Sequence, residues 1–584
     1  MPDTNAFSAT TRPPGGLQIL AVAVLSGAAL YTRLLGLWWD GGASLHADER
    51  FLIFVLEEMR AALDAESAPL SQWYFDPAVS PLNPHREGRL YAYGEWPVIV
   101  LCLLTRALGI EGWGEMQAFG RTVSAVLDAS VVPLVFASAW AVVPRFRPAF
   151  CAAALYATAP LALQQSVFMT VESWLTAACA LCGLFLLNAL RASGPDGGAM
   201  RAAGWGVAAC AAAGLATACK LSGLLLAPAI LLALLYIAGR TGRRAAALAA
   251  VAGAIAFLAV LRLTSPSLFQ GPALLGIAPN PVALGAFQRI SELHSNPRFP
   301  PNWTWMAGYG AGALLRDAVL FAWGPAITLA LCLGAVRFVR GAAPAIGCLA
   351  ALAAAPFAFT LWADTPILRY LAPAVPPLAV LAGLVLDRYA TAIAALVVCF
   401  AVFWGSGVVR LHTGTHPRIA ATQFLARYPE GTVLANETAW DEGLPAHPWW
   451  GRLPGVPERW DLRVLDITGP DTPEKAERLA AVAGEARLIA VTSGRQRQAM
   501  TRLPDRFPLT VAWYRGLESG DFCYDRVFHA APGYPVPGLR LDDAWTQEGW
   551  RVFDHPIVSI YERQPCYEQG TVAASLRNAL PPGR

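Results

Sequence analysis

Residues 46–50 read His-Ala-Asp-Glu-Arg, just beyond an apolar run from Leu17 to Trp39. Two adjacent carboxylates, a histidine and an arginine beside a membrane helix are costly unless hydrated, paired or used. In use, Asp48 is a carboxylate general base, with a divalent cation (Mg or Mn) held through Asp48, Glu49 or His46. Out of use, the same acids cap the next helix, with Asp48 as N-cap of Phe51 to Ala62. A second acid, Glu172, stands at the start of another apolar run, where the helix dipole favours negative charge. Lys220 lies between two apolar runs, in Gly214-Leu215-Ala216-Thr217-Ala218-Cys219-Lys220-Leu221-Ser222-Gly223. A compact ammonium there either snorkels to the interface or meets a phosphate as a point charge. Arg369 opens a further run beside Tyr370, with Asp364 as a competing partner. Arg121 follows Gly120 at what reads as a helix start, where a cation is disfavoured unless an acid or anion pairs with it.

These residues need positioning elements, and composition says what kind. Of 584 residues, 55% are hydrophobic and only 15% charged, against roughly 25% charged in an average globular chain. That excludes a string of soluble domains. The balance of 44 basic against 41 acidic residues excludes a nucleic-acid-binding surface. Only two of the basic residues, Lys220 and Lys475, are lysines, so each stands out.

Apolar runs of about 20 residues, the length of a membrane helix, begin near Leu17, Gly120, Pro148, Val171, Ala202, Leu221, Ala245, Gly312, Ala342, Tyr370 and Tyr389. About eleven spans are therefore expected. Trp96 to Leu108 is shorter and reads as an interfacial or re-entrant helix. Arginines in short loops stay cytoplasmic, and Arg145 with Arg147, Arg191 with Arg201, Arg240 to Arg244, Arg337 with Arg340, and Arg388 alternate accordingly. The opposite, external side receives a first loop over 40–119, a Pro-rich loop over 264–311, and everything after about Leu411. All the polar residues singled out above fall on that side.

The membrane region spans 1–410 and a second domain 411–565. In the latter, Ile419 to Tyr428 and a segment opened by Thr472-Pro473-Glu474 read as helices. Thr432 to Asn436, Leu488 to Thr492 and Val558 to Tyr561 read as strands. A small α/β domain with a parallel or mixed sheet is expected, followed by a disordered tail over 566–584. Asp441, Glu442 and His447 read as loop residues. Nine of the 11 cysteines lie in apolar stretches and behave as small hydrophobes, while Cys523 and Cys566 are open to a disulfide if their region is outside.

The order of these motifs resembles the GT-C superfamily of integral-membrane glycosyltransferases, nearest the branch of protein O-mannosyltransferases and lipid A aminoarabinose transferases. The resemblance rests on His46-Ala47-Asp48-Glu49-Arg50-Phe51, Ser80-Pro81-Leu82-Asn83-Pro84, Tyr93-Gly94-Glu95-Trp96-Pro97 and Gly120-Arg121 with Ser124. It continues through Thr170-Val171-Glu172-Ser173, Gly214-Leu215-Ala216 with Lys220-Leu221-Ser222, Phe299-Pro300-Pro301-Asn302-Trp303-Thr304-Trp305, and Arg369-Tyr370 with Pro373 and Pro376. Phe553-Asp554-His555-Pro556 is similar to the external domain of bacterial members. The resemblance implies a polyprenyl-phosphate-linked sugar donor and inverting transfer to a hydroxyl acceptor, at the external face of a bacterial inner membrane. Carried over by position, Asp48 is the base and Glu172 the second-loop acid, where relatives commonly have aspartate. Lys220 and Arg369, with Arg121, face the donor phosphate. His46, Tyr93, Asn302 and Trp303 line the substrate cleft. Trp38 and Trp39 belong to the interfacial aromatic belt. The rival readings are a lipid-linked-sugar flippase or a non-catalytic scaffold. Neither an internal repeat nor mid-bilayer charge pairs are visible to favour a transporter.

Overall fold

The computed structural model describes residues 13–194, 197–306, 308–335, 343–437, 443–445 and 460–581. Asp441, Glu442 and His447 fall outside them. Nine helices among the described residues are long and apolar enough to cross a bilayer: Gly16–Leu34, Trp113–Val142, Glu172–Ala192, Ala199–Cys219, Leu221–Thr241, Arg243–Thr264, Pro344–Trp362, Leu368–Leu386 and Thr391–Leu425. A tenth crossing exists if Ala311–Ala322 and Pro325–Gly334, bent by 108° at their junction, act as one. The chain is a multi-pass α-helical membrane protein. Where about eleven runs are expected, nine or ten single helices among the described residues are this long, because the run near Pro148 is broken. That run still leads from Arg145, paired with Asp387 just past the end of Leu368–Leu386, to Glu172, near Arg369 at that helix's start. It forms only Phe146–Ala157, 12 residues, before the chain breaks and restarts at Pro160. At about 1.5 Å per residue that helix covers ~18 Å of a ~30 Å hydrocarbon layer. The segment read as interfacial forms Glu95–Ala107, 13 residues, likewise too short to cross.

The chain divides into two compact units. The first comprises Met1–Leu37, Asp48–Glu292 and Leu315–Val409. Its helices approach closely where residues are small, as membrane packing requires. A Cβ on Gly214 would lie 2.6 Å from the Phe257 carbonyl oxygen, so only glycine lets those two helices meet. One charge cluster lies inside the apolar packing: Arg33 Nε donates to Asp128 Oδ1 at 2.6 Å, and the Tyr156 hydroxyl donates to Oδ2 at 2.8 Å. Mutual pairing is what makes these groups tolerable between membrane helices.

The second unit comprises Trp38–Ala47, Leu293–Leu314 and Arg410–Arg584. Its strands are β1 (Thr432–Glu437), β2 (Trp460–Leu465), β3 (Leu488–Val491), β4 (Tyr524–Ala530), β5 (Tyr534–Val536), β6 (Leu539–Leu541) and β7 (Val558–Arg563). Five of them form a mixed sheet in the order β2-β1-β3-β7-β4. β1 runs parallel to β2 and β3, whereas β7 is antiparallel to β3 and β4. Helix Pro473–Glu485 is capped as its sequence predicts, the Thr472 hydroxyl accepting from the Lys475 N–H at 3.3 Å. Lys475, the second lysine, is fully buried. It donates to the Ile467 and Gly469 carbonyls, to Asp471 and to Thr510, all within 2.8 Å, and so clamps a loop.

The expected disordered tail is corrected. Gln569–Asn578 is a helix that buries Val572, Ala573 and Leu576 in this unit's core, and Cys566 is joined to Cys523 by a disulfide. A buried histidine supports the same unit. His555 sits between Asp554, which it contacts through Nδ1, and Asp543, 2.9 Å from Nε2, while Asp554 also meets His412 at 3.1 Å. The two carboxylates hold His555 protonated, raising its pKa to about 9 despite burial. Such a group contributes stability that is complete below the ordinary histidine pKa and disappears as pH rises through about 9. A shift of this size corresponds to roughly 3 kcal/mol. Unfolding monitored between about pH 6 and 10 is expected to show that loss, and His555→Gln should remove this contribution to it. An unchanged pH profile in the variant would refute the assignment.

Candidate active site

Four of the sequence-predicted residues meet within the first unit, each delivered by the end or break of a helix. Asp48 lies in the first turn of Ala47–Ala65. That helix begins earlier than expected, so Asp48 is inside it and is not its N-cap. Glu172 is the first residue of Glu172–Ala192. Lys220 is the extended residue (φ −163°, ψ 141°) between Ala199–Cys219 and the 3₁₀ turn Leu221–Leu226. The chain doubles back tightly there: a Cβ on Gly223 would sit 2.4 Å from the Thr217 nitrogen, which accounts for the glycine three residues after the lysine. Arg369 lies in the 3₁₀ turn Leu368–Ala374.

Arg369 donates to Asp48 Oδ2 at 2.5 Å, and its Nε is 3.6 Å from Glu172 Oε1. Lys220 Nζ donates to the same Glu172 oxygen at 3.0 Å. Two carboxylates thus neutralise two cations. The cluster retains unused hydrogen-bonding capacity, because Arg369 Nε and Glu172 Oε2 have no hydrogen-bond partner. Asp48, Arg369 and Lys220 keep partial solvent access, their side chains 23%, 19% and 16% exposed, whereas Glu172 is buried. Tyr370, which sequence reasoning passed over, places its ring 4.8 Å from the Lys220 ammonium. Its signal was adjacency to Arg369.

Tyr93 completes the cluster. Its half-buried phenol lies against Asp48, and desolvation together with that carboxylate holds its pKa well above the ordinary tyrosine value. Next to it, the Gly94 N–H donates to the Cys219 carbonyl at 2.9 Å, and a Cβ at Gly94 would lie 2.0 Å from the Ala218 carbonyl oxygen. Glycine is therefore what allows Tyr93 to sit against the turn that carries Lys220. Gly94→Ala is expected to force the two segments apart and weaken binding of an anionic lipid ligand by about tenfold or more, roughly 1.4 kcal/mol. Undecaprenyl phosphate titrated into the purified variant measures this, and wild-type affinity would refute it.

The remaining predicted residues are engaged elsewhere. Glu49, adjacent to Asp48 but on another face of the helix, is fully buried. Its Oε1 accepts from Arg121 Nε at 2.9 Å and the Met169 N–H at 2.7 Å. Its Oε2 accepts from Arg121 Nη2 at 2.6 Å and Gln117 at 3.0 Å. Arg121 is not at a helix start but well inside Trp113–Val142, and its Nη1 donates to the Leu37 carbonyl. Glu49 and Arg121 thus form a buried ion pair that the structure keeps apart from the Asp48 cluster. His46 belongs to the second unit, where its ring stacks on Phe553 with centroids 3.9 Å apart. Asn302 and Trp303 fasten a loop in that unit. Asn302 donates to the carbonyls of Leu293, His294 and Asn296, and Trp303 donates to Pro297 and packs on Phe507 at 4.6 Å. Their polar groups are used for that purpose rather than lining a cleft.

A divalent cation does not fit the donor set. Glu49 has both oxygens occupied, Asp48 already carries a guanidinium, and among the described residues no group of three or more His, Cys, Asp or Glu side chains is arranged to hold a metal ion.

A small, largely apolar cavity of about 30 Å³ lies in the same unit, lined by Ser222, Leu226, Val135, Pro373, Pro376 and Val380 among others. Ser222 is two residues from Lys220 and Pro373 four from Arg369, so the cavity shares both cation-bearing turns.

The multi-pass helical unit with its charged helix ends and the α/β unit that follows it in sequence make up a fold shared with solved structures. In fold the chain is similar to the Archaeoglobus fulgidus oligosaccharyltransferase tethered with an acceptor peptide containing the NVT sequon, with 15% identity, 91% of this chain and 74% of that chain covered, and a TM-score of 0.50. Oligosaccharyltransferase AglB of the same organism, in complex with an inhibitory peptide and a dolichol-phosphate, gives 14% identity, the same coverages and a TM-score of 0.50. ArnT from Cupriavidus metallidurans bound to undecaprenyl phosphate is 19% identical over 72% of this chain and 73% of that one, with a TM-score of 0.42. No protein-family model matches the sequence, and no curated protein matches it.

Proposed function

We propose that the protein is an inverting glycosyltransferase that moves a sugar from a polyprenyl-phosphate carrier to an acceptor hydroxyl at the external face of the membrane. The observation that carries this reading is the paired cluster of Asp48, Glu172, Lys220 and Arg369. A lipid phosphate needs cations at the membrane boundary and apolar room for its chain. Lys220 and Arg369 supply the first, and the exposed leucines Leu221 and Leu224 beside Lys220 offer the second. The dolichol-phosphate in the archaeal structure of the same fold is consistent with that ligand class. Arginines in the short loops support an external cluster, with the α/β domain on the same side.

The reaction follows from the charges. A donor phosphate entering between Lys220 and Arg369 replaces Asp48 as the guanidinium's partner. Asp48 is thereby free to accept the proton of the acceptor hydroxyl as its oxygen attacks the anomeric carbon. The bond between that carbon and the phosphate oxygen breaks, its electron pair leaving on the polyprenyl phosphate. The two cations stabilise the developing charge, an effect worth about 3–4 kcal/mol per well-placed donor. Glu172 holds Lys220 in position and keeps the cluster neutral before the donor arrives.

The test is transfer by purified protein in lipid nanodiscs supplied with polyprenyl-phosphate sugars and candidate acceptors. Glycosylated acceptor with release of polyprenyl phosphate is the expected result. Movement of the lipid-linked sugar between leaflets with no transfer would overturn the enzyme reading in favour of a flippase.

A further inference from the structure

Beyond the charged cluster, the first unit contains a second buried group of polar side chains that the proposed chemistry does not use. Glu95 is the first residue of helix Glu95–Ala107 and is fully buried. Its Oε2 accepts from the Ser267 N–H at 2.9 Å, across 172 residues of sequence. Its Oε1 has no hydrogen-bond partner, and neither ring nitrogen of His85 has one. Those unmet groups face each other, His85 Nε2 being 3.8 Å from Glu95 Oε1. Tyr91 and Phe287 close around the imidazole edge-on, at 5.5 and 6.0 Å.

Arg262, the cation whose charge acts on Glu95, forms no ion pair with it and spends its two terminal nitrogens on backbone carbonyls, its Nε having no hydrogen-bond partner. Arg262 donates to the carbonyls of Pro266, Phe75, Gly271 and Ala273. An ionised Glu95 would therefore be a buried charge with no ion-pair partner, which is strongly unfavourable. The helix start at Glu95 favours a carboxylate, but by much less than that desolvation cost. In the uncharged state the unmet valences match: a carboxylic acid has one O–H to donate, and a neutral imidazole has one bare nitrogen to receive it. At 3.8 Å the two atoms lie about 1 Å beyond hydrogen-bond length.

We propose that Glu95 works as an uncharged carboxylic acid hydrogen-bonded to His85. In that form it latches the backbone at Ser267 to the Tyr93–Gly94 segment and so serves as a positioning residue for the donor cluster. Electrostatics agree with the geometry. Burial raises the Glu95 pKa to about 8 and lowers that of His85 to about 4, so both are neutral between those values. The other groups facing Glu95 are Arg262, which opposes the shift, and Tyr74 and Tyr91, whose own pKa values its charge would raise. The consequence for the cluster runs through two peptide bonds, since Gly94 is hydrogen-bonded to Cys219 and Tyr93 abuts Asp48.

The sign of the pH effect follows. Because the folded pKa lies above the unfolded one, folded protein loses stability as pH rises from the ordinary glutamate value to about 8, and nothing further above it. Glu95→Gln keeps the neutral donor and acceptor and cannot ionise, so it should show no such loss.

Two measurements test the proposal. In infrared difference spectra between about pH 6 and pH 10, the wild-type protein should lose a protonated-carboxyl band that is absent from E95Q. No band in the wild type, or an identical band in E95Q, would overturn it. With undecaprenyl phosphate as probe near pH 7, E95Q should bind within about threefold of wild type and Glu95→Ala at least about tenfold more weakly. Equal loss in E95Q and E95A would show that a carboxylate is required and overturn the latch. The effect on lipid binding rests on the proposed donor site, but the infrared result does not. A band present with no lipid binding in any variant would therefore count against the glycosyltransferase reading while upholding the neutral acid.

Discussion

Asp48→Asn is expected to lower the rate of sugar transfer by about 10²–10⁴-fold, the range attributed to a positioned general base. Asparagine has nearly the same shape and still accepts a hydrogen bond from Arg369, now 2.5 Å from Asp48 Oδ2, but it cannot take a proton at neutral pH. Removing the negative charge also deprives Arg369 of its strongest competitor for a phosphate. Affinity for undecaprenyl phosphate should therefore stay the same or increase while transfer collapses. That split between binding and rate distinguishes a base from a residue that merely shapes the site. Retained transfer in D48N, with loss instead in Glu172→Gln, would move the base to Glu172.

The second large effect concerns stability. Glu49 receives four hydrogen bonds, two of them from Arg121, and both side chains are buried. Removing one partner of such a pair leaves an uncompensated charge and costs about 3–5 kcal/mol. Arg121→Leu should thus sharply lower the thermal midpoint of the detergent-solubilised protein. Adding Glu49→Leu should recover part of it, because an apolar pair replaces a stranded carboxylate. Were Arg121 a donor-phosphate ligand instead, R121L would weaken undecaprenyl phosphate binding and leave the midpoint nearly unchanged. The two outcomes cannot be confused.

These two predictions mark where the sequence stopped being informative. Asp48 and Glu49 are neighbours of like charge in one motif, and nothing in their spacing says which one faces the cluster. That depends on where the helix begins, and it begins at Ala47, a residue with no capping signal. Lys220 and Arg369 were legible because each breaks a pattern, a lysine in an arginine-rich chain and an arginine outside the short cytoplasmic loops. Arg121 broke the same pattern, yet an intramolecular acid explains it. Asn302 and Trp303 look like ligand-binding types, but an asparagine amide that reaches three carbonyls is equally suited to pinning a loop.

Most membrane helices were readable from run length alone. The failure at Pro148 has a local cause, since the chain breaks at Thr158 and restarts on Pro160. In the second unit β1, β3 and β7 were visible as apolar runs. Strand β2 was not, because Asp461 and Arg463 interrupt it and its residues are largely exposed. The terminal helix escaped because its buried stripe is only Val572, Ala573 and Leu576, too short for a period to show. Glu95 and His85 carry no pattern at all. Only the fold brings Ser267 to one and leaves the other facing its unmet oxygen.

The central claim is that Lys220 and Arg369 hold the phosphate of a polyprenyl carrier and release Asp48. The most direct measurement is an experimental structure of the protein with undecaprenyl phosphate. The account predicts phosphate oxygens within about 3 Å of Lys220 Nζ and the Arg369 guanidinium, and Asp48 no longer bonded to Arg369. A phosphate bound away from both cations, with the Asp48–Arg369 pair intact, would contradict it.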